Sequence, residues 1–395
     1  MSSTRLKFSA SFIAGQSPAS SDVEDLDGGQ PFLQGNAEFG LVHPAPRYEC
    51  PVANKVCAPG DTLISVRAPV GRVNVADQIY GIGRGLAAVR ATDMHAGYLR
   101  WVLEDAERFL QAVSNGSTFE AITAWHIGEV PYVKHEFELQ GRIAEYLDRE
   151  SAKILSVVGQ LDDLSELLRH RMRQAGSLSV FGLDLAKVHR VGDAHSPLSG
   201  IPDHWARTKF GYDFSESAER NGDDPPGPLL SISEYRGVEV NTRTEGQQAS
   251  LDVSKYRVVR PGQLAANMMW LNHGGLGVSS LTGYISPDYK AFWISDRFEP
   301  RYVHHLFRSS RYIDYFAAIA TGVRPNAQRV TKTVLDATPV PVPPREDQVR
   351  IADELDEGTA RVNAMLAKVA DLKSLLLERR AALITAVVTG KKEVA

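Results

Sequence analysis

Apolar residues recur at spacings of three and four along two stretches of the chain. The first stripe is Leu147, Ile154, Val157, Leu161, Leu164 and Leu168. The second is Leu355, Val362, Met365, Val369, Leu372 and Leu376. Such spacing puts side chains on one face of a helix and matches a heptad seam. Glu145, Asp148, Glu150, Lys153, Asp162, Asp163 and Glu166 fall on the other faces. The pattern predicts a helix over about residues 138–174 that stops near Gly176, because glycine suits a left-handed cap. A second helix is expected from near Arg345, just after Pro339, Pro341, Pro343 and Pro344, to near Gly390. Prolines suit a first helical turn and block an earlier start. Neither narrow stripe can bury itself, and each finds an equal in the other. Antiparallel pairing of the two, about 35 residues each, gives a rod of roughly 50 Å.

The two stretches are copies of one another. Arg142-Ile-Ala-Glu-Tyr-Leu-Asp148 recurs as Arg350-Ile-Ala-Asp-Glu-Leu-Asp356, 208 residues later. At the same offset Thr123 faces Thr331, Pro131 faces Pro339, and Leu164, Leu167, Leu168 and Arg171 face Leu372, Leu375, Leu376 and Arg379. Further upstream the offset drifts. Ala58-Pro-Gly-Asp61 resembles Arg260-Pro-Gly-Gln263, and Arg5-Leu-Lys-Phe8 resembles Arg207-Thr-Lys-Phe210. Pro31-Phe-Leu33 resembles Pro228-Leu-Leu230. The chain is therefore one unit written twice, each copy a diverged globular part followed by a more constant helix.

The globular parts carry mixed signals. Residues 61–67, 84–90, 264–267 and 291–294 predict short strands, with Pro-Gly and Gly-Gly turns between strands. Residues 98–113 and 301–318 predict amphipathic helices, and 178–198 a linker. The expected fold class is mixed α+β: two globular domains separated by two long helices that form an antiparallel coiled coil, with an internal pseudo-twofold repeat. The domains run 1–137, 183–340 and, for the helical parts, 138–182 and 341–395.

Composition narrows the function classes. At 395 residues, with 43% hydrophobic and 23% charged residues, the chain is ordinary globular material for two or more domains. A net charge of −4 excludes an evenly basic DNA-packing protein but not a local basic face. The two cysteines, Cys50 and Cys57, sit in no zinc-binding pattern and are expected to be buried free thiols. No apolar run follows a basic start in residues 1–30, and none is long enough to span a bilayer, so a cytoplasmic protein is expected.

Enzyme motifs are wanting. Thr389-Gly-Lys-Lys392 lacks the rest of a nucleotide-binding loop, and Gly81-Ile-Gly-Arg-Gly85 lacks dinucleotide spacing. Asp223-Asp-Pro-Pro-Gly227 resembles the Asp-Pro-Pro-aromatic loop of adenine methyltransferases, but with Gly where a ring must stack. His304 and His305 are adjacent on a predicted helix, so they point to different faces and are poorly placed to share a metal. What remains is clustered positive charge. Arg301, Arg308, Arg311, Arg324, Arg329 and Lys332 lie close together with Asp314 as the one acid among them, and Arg67, Arg72, Arg84, Arg90 and Arg100 form a looser set. Arginine can bind guanine edges in two-pronged fashion, and Asn or Gln adenine edges. The candidate DNA-binding residues are Arg67, Arg72, Arg84, Ser117 and Thr118 in the first copy, and Arg324, Asn326, Gln328 and Arg329 in the second.

The Arg-Ile-Ala-x-x-Leu-Asp start of each helix, the polar loop running into Ile122-Thr123 and Val330-Thr331, and Ile201-Pro-Asp-His-Trp205 together resemble the specificity subunits of type I restriction–modification enzymes. The resemblance covers nearly the whole chain. It implies a subunit that is not itself an enzyme. Each diverged domain would read one half of a split, asymmetric site in double-stranded DNA. The helix pair would set the gap and dock two methyltransferase subunits, with restriction subunits as further partners. It also implies no cofactor on this chain: S-adenosylmethionine, ATP and magnesium would sit on the partners. The alternative is a coiled-coil scaffold that uses the same fold for protein contacts alone.

Overall fold

The structure, a computed structural model, describes residues 3–114, 121–183, 196–222, 224–233, 237–242, 252–321 and 329–394. They fall into two compact units. One is Met1–Leu161 with Ala370–Ala395; the other is Asp162–Val369. Both long helices pass through the division, so each unit holds one globular part and half of each helix. The first long helix is Phe137–Ser179 and the second Arg345–Val388.

In the first unit a four-stranded antiparallel sheet runs in the order Ala10–Ala14, Leu86–Ala91, Thr62–Ser65, Val73–Val75. Strand side chains alternate between faces. Leu63, Leu86 and Ala88 join one core with Leu33, Cys57, Tyr80 and Ile82 from a second, five-stranded sheet. Ile64, Ala87 and Val89 join another core with Tyr98, Trp101 and Val102, and with Ile143 and Leu147 of the first long helix. Ile384, Val387 and Val388 of the second long helix complete it.

The second unit repeats this plan. Its sheet runs Phe214–Glu216, Tyr289–Ile294, Leu264–Asn267, Leu276–Val278, in the same topological order. Leu264, Ala266 and Phe292 face Tyr302, Phe307, Val180, Phe181 and Ile351; Ala265 and Ala291 face the other way, onto Leu230, Val259 and Ile285. Equivalent hydrogen bonds recur. Tyr98 Oη donates to the carbonyl of Val388 at 3.2 Å, and Tyr302 Oη to that of Val180 at 2.9 Å. Val180 and Val388 are themselves 208 residues apart. Gln140 accepts the His95 N–H and donates to the His135 carbonyl; Gln348 accepts the Glu299 N–H and donates to the Pro343 carbonyl.

Within each unit the two helix halves run antiparallel. In the first, Arg380 donates to Ser151 and Lys392 to Tyr146, so partners descend one segment as they ascend the other. In the second, Gly176 lies against Leu355 while Val180 and Phe181 share a core with Ile351.

Three expectations need correction. The first helix does not stop at Gly176. It continues to Ser179 and ends where Gly182 takes a φ of 63°, with Gly182 N–H on the Ser179 carbonyl and Leu183 N–H on that of Leu178. That paired closure is a Schellman cap, and Gly390, at φ 72° and 208 residues on, stands in the matching place. The helices expected over 98–113 and 301–318 each break in two, as Ala96–Asp105 with Glu107–Ser114 and Pro300–Phe307 with Ser310–Ile319. In the second case Ser309 supplies the break, since its hydroxyl caps the next helix at Tyr312 N–H. Third, the covered stripe of each long helix is shifted. Leu147, Ile154, Leu161 and Leu168 lie on it with Ser151, Val158 and Ser165, while Val157 and Leu164 are 42% and 41% exposed. On the second helix Leu355, Val362, Val369 and Leu376 lie on it with Leu366, Lys373 and Arg380, while Met365 and Leu372 are exposed. A seam of alternating three and four steps can turn to either side of each heptad. Here it takes the side of mixed polarity, and on the second helix the long stems of Lys373 and Arg380 can lie along apolar surface.

The smaller motifs are structural. Cβ atoms at Gly81, Gly83 and Gly85 would collide with Ala53 and Gln34, so these glycines allow close packing. Cys50 and Cys57 are buried and free, and burial pushes the Cys57 thiol up to about 11. Among the described residues no helix is long and apolar enough to cross a membrane. His304 and His305 do point apart, to the Val278 N–H and to Asp356. Burial holds His304 down to about 3, with Arg308 and His305 acting in the same direction and the Val278 bond and Asp356 opposing. The unfolded chain takes up a proton that folded His304 refuses. Its contribution to stability is therefore complete above about pH 6.5 and is lost as pH falls from there toward 3. His135 and His305, lowered by burial as well, add to the slope. Denaturant midpoints should fall between pH 7 and pH 5, and His304→Gln should flatten that fall.

Candidate nucleic-acid interface

In the first unit the pairing of Ser65 with Leu86 extends past the strands. Val66 N–H donates to the Gly85 carbonyl at 2.9 Å, which puts Arg67 opposite Arg84. On its other side Arg67 is bridged to Ala121, and Ile122 N–H donates to the Val66 carbonyl. The turn that follows is held from within. The buried Ser65 hydroxyl accepts the Arg72 N–H at 2.9 Å and donates to the Pro69 carbonyl at 2.7 Å. Arg67 and Arg84 are exposed and have no acid partner among the described residues. Arg72 is exposed and tied to Glu107 at 3.5 Å. Ser117 and Thr118 lie outside the described residues.

The rest of the positive charge is committed to the fold. Arg90 grips the buried Asp61 with two bonds of 2.7 and 2.8 Å. Arg100 meets Asp148 and lies over the Trp101 ring. Arg301 bridges Asp353 and Asp356, and Lys332 pairs with Asp336. Arg308 donates to the carbonyls of Ser233, Gly274 and Leu276. Arg311 donates to Ser199 and stacks on Phe181. The cluster expected around residues 301–332 is thus mostly spent on carboxylates and carbonyls. Arg329 remains exposed, paired through its backbone with Thr321. Arg324, Asn326 and Gln328 lie outside the described residues.

The turn equivalent to Arg67 in the second unit follows strand Leu264–Asn267. It carries Met269 and Trp270, 45% and 42% exposed, and an exposed His273. Val330 N–H reaches the Met268 carbonyl, just as Ile122 reaches Val66. Charge-based reasoning passes over these residues. The offset of 202 between Gly60 and Gly262 carries Arg67 onto Met269 and marks the place. Among the described residues no three His, Cys, Asp or Glu side chains gather as a metal site requires.

Comparison with known proteins adds a sequence likeness and a fold. No family model matches the chain. A putative type I restriction enzyme MjaX specificity subunit from Methanocaldococcus jannaschii is 35% identical over 164 residues, 41% of this chain and 36% of that protein. The match therefore spans little more than a third of that relative's length. A solved chain from work on complex assembly and conformational transition of the type I R-M system superposes with a TM-score of 0.69 at 16% identity, over 99% of this chain and 98% of its own. The HsdS subunit from Thermoanaerobacter tengcongensis aligns over 99% and 97% at 16% identity and a TM-score of 0.47. Over 164 residues the chain is thus similar in sequence to a putative type I restriction enzyme specificity subunit, and along nearly its whole length it shares the fold of a chain solved in work on the type I R-M system.

Proposed function

We propose that the chain is the DNA-recognition subunit of a type I restriction–modification complex, each globular part reading one half of a split site. The observation that carries this is one sheet built twice, with the same hairpin turn bearing different chemistry in each copy. Arg67 stands on this turn in the first copy, with Arg84 opposite it on the neighbouring segment, and Met269 and Trp270 stand on it in the second. A repeated frame with divergent tips suits two different half-sites. The helix pair fixes the gap between them. On this reading the subunit carries no catalytic group. S-adenosylmethionine, ATP and magnesium belong to partner subunits, and the complex works in the cytoplasm.

The helices support two copies of one partner. Val157, Leu164, Leu167 and Arg171 are exposed on the first, and Met365, Leu372, Leu375 and Arg379 on the second. Every pair is 208 residues apart. Exposed apolar rows on a polar helix mark contact surfaces. The same row written twice suits the same methyltransferase subunit bound twice. Leu164→Glu or Leu372→Glu should each reduce the partner count from two to one in native mass spectrometry, with the double change abolishing capture. Retention of two partners by the double variant would refute the docking assignment.

Phosphate contacts dominate raw DNA affinity, and a chain of net charge −4 supplies few of them. The chain alone should bind duplex DNA weakly and release it as salt rises, while its complex with the methyltransferase selects a split sequence from random duplexes. Equal affinity and equal selection with and without the partner would defeat this reading.

A further inference from the structure

We infer that the turn bearing Met269 and Trp270 is the apolar reader of the second half-site, and that its ligand is the 5-methyl group of a thymine in the major groove. The inference rests on the DNA-recognition reading and gives it a base. Its starting point is position. The turn occupies the place in the second sheet that Arg67 occupies in the first, with Val330 N–H on the Met268 carbonyl as Ile122 N–H is on that of Val66.

The turn is built rather than loose. Asn267 N–H donates to the Gly275 carbonyl at 2.7 Å, and Gly275 N–H returns to that of Trp270 at 2.8 Å. Met269 N–H is taken by Asn267 Oδ1, and Trp270 N–H by the Asn267 carbonyl. Arg308 holds the carbonyls of Gly274 and Leu276 from beneath. Gly275 admits no side chain, since a Cβ there would lie 2.7 Å from the Trp270 carbonyl oxygen. The Trp270 ring packs on His273 with centroids 4.4 Å apart. Packing does not need the exposed groups, because Met268 and Leu271 of the same turn already fill the core.

Chemistry then selects the base. The N–H groups of Met269, Trp270, His273, Gly274 and Gly275 are all bonded within the turn, and the Arg308 guanidinium faces inward. Beside the exposed His273 ring, which covers part of the indole, the turn offers a base edge the Met269 thioether, the Trp270 ring and the indole N–H, which has no partner among the described residues. In the major groove thymine presents a methyl group beside the O4 acceptor, and apolar contact with that methyl is how it is distinguished. An apolar ring with one donor at its edge complements that pair.

The test replaces thymine by uracil, which removes only the methyl. The complex of full chain and methyltransferase partner is first used to define both half-sites. Each thymine of the second half-site is then exchanged for uracil in synthetic duplexes. One contacted methyl should be worth about fourfold in affinity. Trp270→Ala and Met269→Ala should bind thymine DNA more weakly and abolish the preference over uracil, whereas Arg67→Ala should keep it. Trp270→Phe, which retains an apolar ring, should keep it too. A second half-site without thymine, or a complex that selects its sequence yet ignores every such exchange, would overturn this inference alone. A complex with no sequence preference at all would overturn the recognition reading with it.

Discussion

Alanine at both Arg67 and Arg84 is expected to weaken binding of the complex to its cognate duplex by on the order of a hundredfold. The loss should fall on a single half-site. A good two-pronged contact to a base edge discriminates by about 1–3 kcal/mol. Arg67 and Arg84 stand opposite each other in register at one sheet end, with no acid to hold them among the described residues. Arg72→Ala should cost less, because Arg72 is tied to Glu107. Arg90→Ala should act on stability instead, since it strips the buried Asp61 of its counter-ion. Competition binding with single-base variants of each half-site, at fixed salt, separates the outcomes. If Arg67 and Arg84 touch only phosphates, affinity will drop evenly across sequences and the salt slope will shrink by about one for each phosphate left unneutralised.

Gln348→Ala should be the most damaging of the polar changes to the fold, at about 3 kcal/mol. Gln348 is completely buried. Its amide accepts the Glu299 N–H at 2.7 Å and donates to the carbonyls of Arg297 and Pro343 at 3.0 and 2.9 Å. It ties the first turn of the second long helix to the start of helix Pro300–Phe307. Truncation leaves the Glu299 N–H and the Arg297 and Pro343 carbonyls without these partners, the Pro343 carbonyl in a buried site, and each orphaned buried group costs about 1–3 kcal/mol unless water reaches it. Gln140→Ala should behave alike in the first unit, where Gln140 joins His95 to His135. Gln348→Glu keeps the acceptor and removes the donors, so it should still be destabilising. Arg361→Ala, an exposed residue 3.7 Å from Glu357, should shift the denaturant midpoint little.

The repeat makes most of this architecture legible before any coordinates. An offset of 208 pairs the long helices, Gln140 with Gln348, and Gly182 with Gly390. Glycine composition alone places the first helix end at Gly176, whereas the offset from Gly390 points to Gly182. The seam is misread for another reason. A heptad reading favours apolar residues, so it takes Leu164 over Ser165 and, one heptad earlier on the same row, Val157 over the equally apolar Val158, while the fold leaves Val157 and Leu164 exposed. Charge is the least legible. Nothing in the sequence shows that Arg308 will serve three carbonyls or that Arg311 will lie on Phe181, because both depend on chain segments far apart in sequence. A search for cations alone passes over the turn at Met269, whose exposed groups are a thioether and an indole.

The most direct test maps modified bases across the genome of cells that carry this chain and its methyltransferase partner. The account predicts a motif in two parts with a fixed gap, and Arg67→Ala with Arg84→Ala should alter one part and leave the other. A continuous motif, or a variant that changes both parts together, would contradict it.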